Sequence, residues 1–348
     1  MADETLIDLA AVAALAGLTA YALLGGADFG GGVWDLFAAG PRKAEQRAAI
    51  ARAMGPVWEA NHVWLIFVLV VLWTAFSLAF ESIMSTLFIP LSLAALGIVL
   101  RGSGFAFHKL ARQVRYRRLA ERIFGLFSLL TPFFMGTVVG AIASGRVPVG
   151  NATGDPVTSW LNAVSLLTGA LFVATGIYLS AVFLISDARR AGDPGLERYF
   201  TARALIAGLT AGAIAVAGIF VYRADARFIY DGLTSEGLPL VIASALFGLG
   251  VLVLLVRREQ RGTRPLAIGA VVAVIWGWGV AQYPYLLPQT LTIKEGAGAG
   301  GTLTAVLIVF GVAVVVVLPA LAFLYTLAQR SVLEPEGEAT QSAQPPAG

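Results

Sequence analysis

The sequence predicts an all-α integral membrane protein of about nine transmembrane helices, with the N-terminus outside and the C-terminus in the cytoplasm. Three observations predict it. Apolar residues make up 58% of the 348-residue chain and charged residues only 13%, about half the charged share of an average soluble domain. Apolar runs of roughly 20 residues recur, each long enough to cross a bilayer as a helix. The basic residues also collect in alternate loops, as the positive-inside rule requires.

The spans fall at roughly 5–24, 60–79, 83–101, 123–143, 160–184, 203–221, 238–256, 265–286 and 303–327. The first opens on Asp3, Glu4 and Asp8 with no basic n-region, so it is expected to be a spanning helix and not a cleaved signal peptide. Between the third and fourth spans, Lys109, Arg112, Arg115 and Arg118 step at helical spacing, which suits an interfacial helix on the cytoplasmic surface, although topological anchoring is the favoured reading of these charges. The eighth span ends in Trp276, Trp278, Tyr283 and Tyr285, residue types that anchor helices at a membrane–water interface. Residues 1–330 read as one polytopic membrane domain. Residues 331–348, rich in Glu, Pro, Ala and Gln, read as a disordered cytoplasmic tail.

Loop charge sets the orientation. Four Lys or Arg lie in 41–53, seven in 101–122, four in 186–203, four in 257–264, and Arg330 follows the last span. These 20 face one side. Arg146, Arg223, Arg227 and Lys294 are the 4 on the other. The net charge of +3 is thus a topology signal and implies no nucleic-acid partner. The absence of cysteine excludes disulfides, iron–sulfur clusters and thiolate metal sites within the chain.

Four polar clusters interrupt the hydrocarbon. The first is Gly25-Gly26-Ala27-Asp28-Phe29-Gly30-Gly31-Gly32, where glycines weaken a helix and allow close approach of another helix or a flat ligand. Asp28 is either a conduit carboxylate or the cap of a helix that restarts after a break. The second is Trp58-Glu59-Ala60-Asn61-His62-Val63-Trp64. Glu59 and His62 are three apart and share a face on a helix, where such a pair can hold and pass a proton. An ionisable group at membrane depth costs about 3 kcal/mol and faces a protein interior or a water path; the rival reading is a polar helix start with Glu59 on the positive end of the dipole. The third, Arg101-Gly102-Ser103-Gly104-Phe105, offers Arg101 as a charge partner for a carboxylate of the first two spans, or as a snorkelling cation. The fourth runs from Trp276 through Gln282, Tyr283 and Pro284 to Pro288 and describes a broken helix end packed against a neighbour. His62 is the one histidine within a span, and bis-axial haem ligation needs two ligands at matching depth. The chain is expected to hold no haem or metal by itself.

These four clusters, in this order on nine spans, resemble subunit II of a cytochrome bd-type quinol oxidase over about residues 5–330. The resemblance implies two four-helix bundles plus a peripheral helix. It also implies a haem-bearing subunit I as partner, holding the b and d haems, and residence in a bacterial cytoplasmic (inner) membrane. Quinol and lipid are implied contacts, and a structural quinone and a small single-span subunit are compatible with it. The enzyme oxidises quinol and reduces dioxygen to water, and subunit II supports subunit I and lines part of a cytoplasmic proton route. Trp58 and Glu59 fall on the family's Trp-Asp pair, whose carboxylate is assigned to proton uptake. Asp28, His62 and Asn61 join Glu59 as the expected proton pathway, with Trp58, Arg101, Gln282 and Tyr283 as supporting or partner contacts. Where the family often has an acid this chain has Gly25, and at His62 many members carry Glu or Gln. Such departures mark a divergent branch, with the cyanide-insensitive type as a candidate. The alternative from another class is a proton-coupled secondary transporter.

Overall fold

Hydrocarbon-rich runs fold here into long helices because a bilayer offers backbone N–H and C=O groups no partner other than the helix itself. The computed structural model describes residues 3–54, 58–110, 113–259 and 261–329, with the backbone alone for Trp58, Glu59, His108, Lys109, Leu110, Val114, Arg117, Tyr325, Ala328 and Gln329. The tail 331–348 lies outside the described residues.

The order is α1 (Glu4–Leu36), α2 (Lys43–Met54), α3 (Trp58–Asn61), α4 (Val63–Ala75), α5 (Ser77–Thr86), α6 (Phe88–Leu110) and α7 (Val114–Ala143). Then come α8 (Ala163–Arg190), α9 (Pro194–Asp225), α10 (Arg227–Thr234), α11 (Leu238–Val256) and α12 (Thr263–Gln282). A two-stranded antiparallel hairpin follows, β1 (Tyr285–Leu287) and β2 (Leu291–Thr292), then α13 (Ile293–Gly296) and α14 (Gly300–Gln329). Among the described residues eight helices are long and apolar enough to cross a membrane, and counting the pair α4 and α5, bent by 117°, as one span brings the number to nine. One set packs as α1, α4, α6 and α7, a second as α8, α9, α11 and α12, joined by α8 against α1 and α7. Helix α14 lies on the flank against α1 and α4.

α1 serves as a ruler for depth. At its start Lys294 Nζ meets Glu4 Oε1 at 2.8 Å, and near its end Asp35 meets Arg47 Nε at 3.5 Å. α4 runs antiparallel beside it. Asn61, just before α4, touches Asp28, Phe67 packs where a Gly17 side chain would stand, and Ala75 O accepts from Gly298 N at 2.8 Å at the Glu4 end. α4 therefore traverses the bundle by itself, although the sequence predicts one straight span over 60–79. The chain turns at Phe76 (φ −136, ψ 52), and α5 covers that end of the bundle. There Ser82 Oγ and Ser85 Oγ accept from the backbone N–H of Gly150 and Ala152 at 3.0 and 2.9 Å.

Two further expectations are corrected. The glycine run does not break the first helix, because α1 is continuous for 33 residues, about 50 Å at 1.5 Å per residue. Close packing holds it together. A Cβ on Gly30 would stand 2.0 Å from Gly176 O, and one on Gly176 would stand 2.5 Å from Gly26 O, so the α1 and α8 backbones touch. Dispersion attraction between the two touching backbones offsets the poor helix propensity of glycine. A Gly30→Ala variant should lose about 1–3 kcal/mol of stability through overpacking, read as a lower melting temperature of the purified complex. Nor do the described residues form a separate basic interfacial helix between the third and fourth spans. Residues up to Leu110 continue α6 and those from Val114 begin α7, pairing closely where a Cβ on Gly104 would meet Ala120 O at 2.9 Å.

The turn between α8 and α9 shows how the basic end is tied. Asp193 caps α9, accepting from Gly195 N and Leu196 N at 2.9 Å each, and Arg42 Nη1 donates to it at 3.1 Å. Arg42 and then the backbone donors pull the Asp193 carboxyl down to about 2. A carboxyl lowered on folding adds stability above its unfolded value of about 3.9, and that stability is lost as pH falls through the folded value. The melting temperatures of the native chain and of Asp193→Asn should therefore differ by a constant amount above about pH 5 and converge between about pH 4 and pH 2.

Candidate functional site

Three helices converge on one buried ion. Asp28 on α1 is 5% exposed, Asn61 is fully buried and Arg101 on α6 is 1% exposed. Asn61 Nδ2 donates to Asp28 Oδ2 and at 3.4 Å to Leu24 O. Arg101 Nε donates to Ser128 Oγ at 3.0 Å, and its Nη2 donates to the backbone oxygen of Asp28 at 3.2 Å. The guanidinium carbon stands 4.7 Å from the Phe29 ring centroid and 5.0 Å from that of Phe124, so aromatic faces supply part of the solvation that Arg101 loses on burial. Ser128 Oγ in turn donates to Phe124 O at 2.7 Å.

Local sequence makes room for this. A Cβ on Gly32 would lie 2.1 Å from Ser128 Oγ, so glycine at 32 lets α7 bring Ser128 up to Arg101. On the facing side the Tyr21 ring stands 2.8 Å from where a Gly25 Cβ would be. The place that the resemblance gives to an acid is filled here by an aromatic ring. Tyr21 OH donates to Met135 Sδ at 3.5 Å. His62, at the junction of α3 and α4 with helical backbone angles, stands edge-on to Tyr21 and Phe29, each at 6.1 Å between centroids. Among the described residues no group of three or more His, Cys, Asp or Glu could hold a metal ion.

The cluster thus brings together four of the residues picked out in the sequence, Asp28, Asn61, His62 and Arg101. The Trp58 and Glu59 side chains lie outside the described residues, and their backbone forms α3 immediately before Asn61. Gln282 and Tyr283 do not join them. A Cβ on Gly279 would meet Leu15 at 2.6 Å, and Leu15 lies about 20 Å along α1 from Asp28. Both residues therefore sit toward the Glu4 end, Tyr283 54% exposed and Gln282 7%. Tyr21, Phe124, Ser128 and Met135 complete the cluster, and no motif in the sequence marks them. Tyr21 was legible, since 21, 25 and 28 fall on one helical face with Asp28.

Residues 6–328 match the family described as cytochrome bd terminal oxidase subunit II. The chain belongs to that family. A Bacillus subtilis (strain 168) protein provisionally named a cytochrome bd menaquinol oxidase subunit II is 22% identical over 322 residues, covering 89% of this chain and 92% of the relative. The Escherichia coli (strain K12) cytochrome bd-I ubiquinol oxidase subunit 2 is 26% identical over 213 residues, 59% of this chain and 54% of the relative. The solved bd oxidase of Geobacillus thermodenitrificans has a chain that superimposes with a TM-score of 0.74 at 26% identity, covering 93% of this chain and 98% of that one. As a subunit II of this family the chain is a multi-pass subunit of a bacterial inner-membrane terminal oxidase, and subunit I is its partner. The transporter reading is set aside.

Proposed function

We propose that the chain is the non-haem subunit of a quinol oxidase that reduces dioxygen to water, and that Glu59, Asn61, Asp28 and His62 line its proton-uptake route. The haems of subunit I supply the redox chemistry. This chain's residues hold and move protons toward it, and its packed surface supports that partner.

The observation that carries the reading is the Asp28 carboxylate, buried against Asn61 and Arg101. It lies about 12 Å along α1 from Leu36, the end where the basic turns gather. With that end toward the cytoplasm, as the positive-inside rule requires, protons enter beside α3 and reach Asp28 first. Asn61 Nδ2 fixes one carboxylate oxygen, leaving the other for the incoming proton. Arg101, held by Ser128 Oγ and Asp28 O, stabilises the anion between transfers. His62, edge-on to Tyr21 and Phe29, is placed to pass a proton along that face. Quinol is taken as substrate because the relatives carry ubiquinol and menaquinol oxidase names.

The test is oxygen consumption by the assembled enzyme bearing Glu59→Ala or Asp28→Asn. Normal turnover at normal haem content in both variants would sink the proton role.

A further inference from the structure

A cavity of about 1130 Å³ opens between α1, α4 and α7 on one side and α10, α12 and the hairpin on the other. That exceeds the range of about 300–1,000 Å³ usual for a small-molecule pocket. Its walls are largely apolar, among them Leu15, Leu18, Val138, Val139, Phe172 and Tyr285. Trp276, Trp278 and Gln282 of α12 line it, and the last two carry the unmet polar atoms. Trp278 and Gln282 are four residues apart and so neighbours on one helix face. Trp278 Nε1 and Gln282 Oε1 are both buried without a hydrogen-bond partner among the described residues, and Gln282 as a whole is only 7% exposed.

The chemistry of the missing partner follows from the orientation of the amide. Gln282 Nε2 donates to Leu286 O at 2.9 Å. A carbonyl only accepts, so the amide nitrogen must face Leu286 and Oε1 is left as an acceptor. Indole N–H is a donor only. One hydroxyl can satisfy both, accepting from Trp278 and donating to Gln282. A quinone head, which carries acceptors alone, would leave Gln282 Oε1 unmet, whereas a quinol head carries hydroxyls and is the rival occupant that the test below separates. Leaving either atom buried and unmet costs about 1–3 kcal/mol, so an occupant is favoured over an empty cavity.

Charge narrows the class. The lining includes Asp8, Asp225, Asp231 and Glu236 against the single cation Arg227. Asp225 is bound by Arg146 at 2.6 Å and Asp231 by Arg227 at 2.9 Å. Ser235 donates to Glu236 at 2.5 Å and holds its carboxyl below the usual range, so Glu236 stays anionic. A rim of this sign repels a phosphate-bearing headgroup.

We infer that this cavity is a binding site for one uncharged glycerolipid, whose headgroup hydroxyl bridges Trp278 Nε1 and Gln282 Oε1 while its acyl chains fill the groove between α1 and α7.

The oxidase complex, purified by a tag on this chain and reconstituted in phosphatidylcholine nanodiscs, is offered dioleoylglycerol or dioleoylphosphatidylglycerol. Native mass spectrometry then counts the lipid retained. The expected result is one dioleoylglycerol per complex, with Trp278→Phe and Gln282→Leu each lowering retention roughly tenfold at unchanged haem content. Equal retention by the variants, preference for phosphatidylglycerol, or a quinone as the species lost in both variants would overturn the assignment. Should neither variant assemble, a diazirine-bearing diacylglycerol on the native complex decides. Crosslinks at Leu15, Leu18, Val138 or Val139 support the site, and crosslinks confined elsewhere refute it.

Discussion

Asp28→Asn is expected to lower oxygen consumption by the assembled oxidase roughly 10- to 100-fold, within or just below the range for losing a positioned acid–base group, while haem content stays normal. The substitution is nearly isosteric. Asn61 Nδ2 still finds an oxygen at position 28, and Arg101 Nη2 still finds the backbone carbonyl at 28, since that bond goes to the main chain. What disappears is the exchangeable proton and the negative charge. A purely structural carboxylate would give the opposite pattern, with turnover per haem preserved and yield reduced. Glu59→Ala should show the same signature as Asp28→Asn if both lie on one route. The double variant should then be no slower than the slower single one, because residues acting in series are strongly non-additive.

Arg101→Met should be the most damaging single change to stability, costing about 3–5 kcal/mol, the range for removing one member of a buried ionic pair. The side chain is 1% exposed between α1, α6 and α7. Its loss takes away the donors to Ser128 Oγ and Asp28 O and the cation between the Phe29 and Phe124 rings. Asp28 would then be left beside Asn61 without the guanidinium. The measurement is the thermal midpoint of haem release from the purified complex, alone and combined with Asp28→Asn. Because the guanidinium is bound to the Asp28 main chain and lies within the electrostatic reach of its carboxyl, the double variant should lose less than the sum of the singles. Strict additivity would show that the Arg101 charge and the Asp28 carboxylate are energetically independent.

Much of the fold was legible because a bilayer leaves few options. Apolar length marked the membrane crossings, and loop charge separated the basic end from the other. Residues within a few positions of one another were also readable, such as Asp28 among its glycines or Asn61 and His62 beside Glu59. Contacts between helices were not. Nothing at Thr74-Ala75-Phe76-Ser77 carries the Gly or Pro that usually announces a turn. That bend is imposed by α5 closing over the loop at Gly150 and Ala152. The glycine run suggested a broken helix because propensity is a local quantity, whereas the contact of Gly30 with Gly176 joins residues 146 positions apart.

The sequence by itself determined that the chain lives in a membrane, which end carries the positive charge, and which carboxylates, amide and guanidinium sit where hydrocarbon should be. Those properties depend on composition and short spacing, which the bilayer reads directly. Only the tertiary structure decided that Asp28, Asn61 and Arg101 meet, that Ser128 and Tyr21 complete their surroundings, and that Gln282 lines the far end of a cavity that reaches Tyr21 and Met135, about 20 Å along the first helix. Residues separated by 33 and 73 positions meet only after helices have packed, and the glycine at 32 lets α7 bring Ser128 up to Arg101.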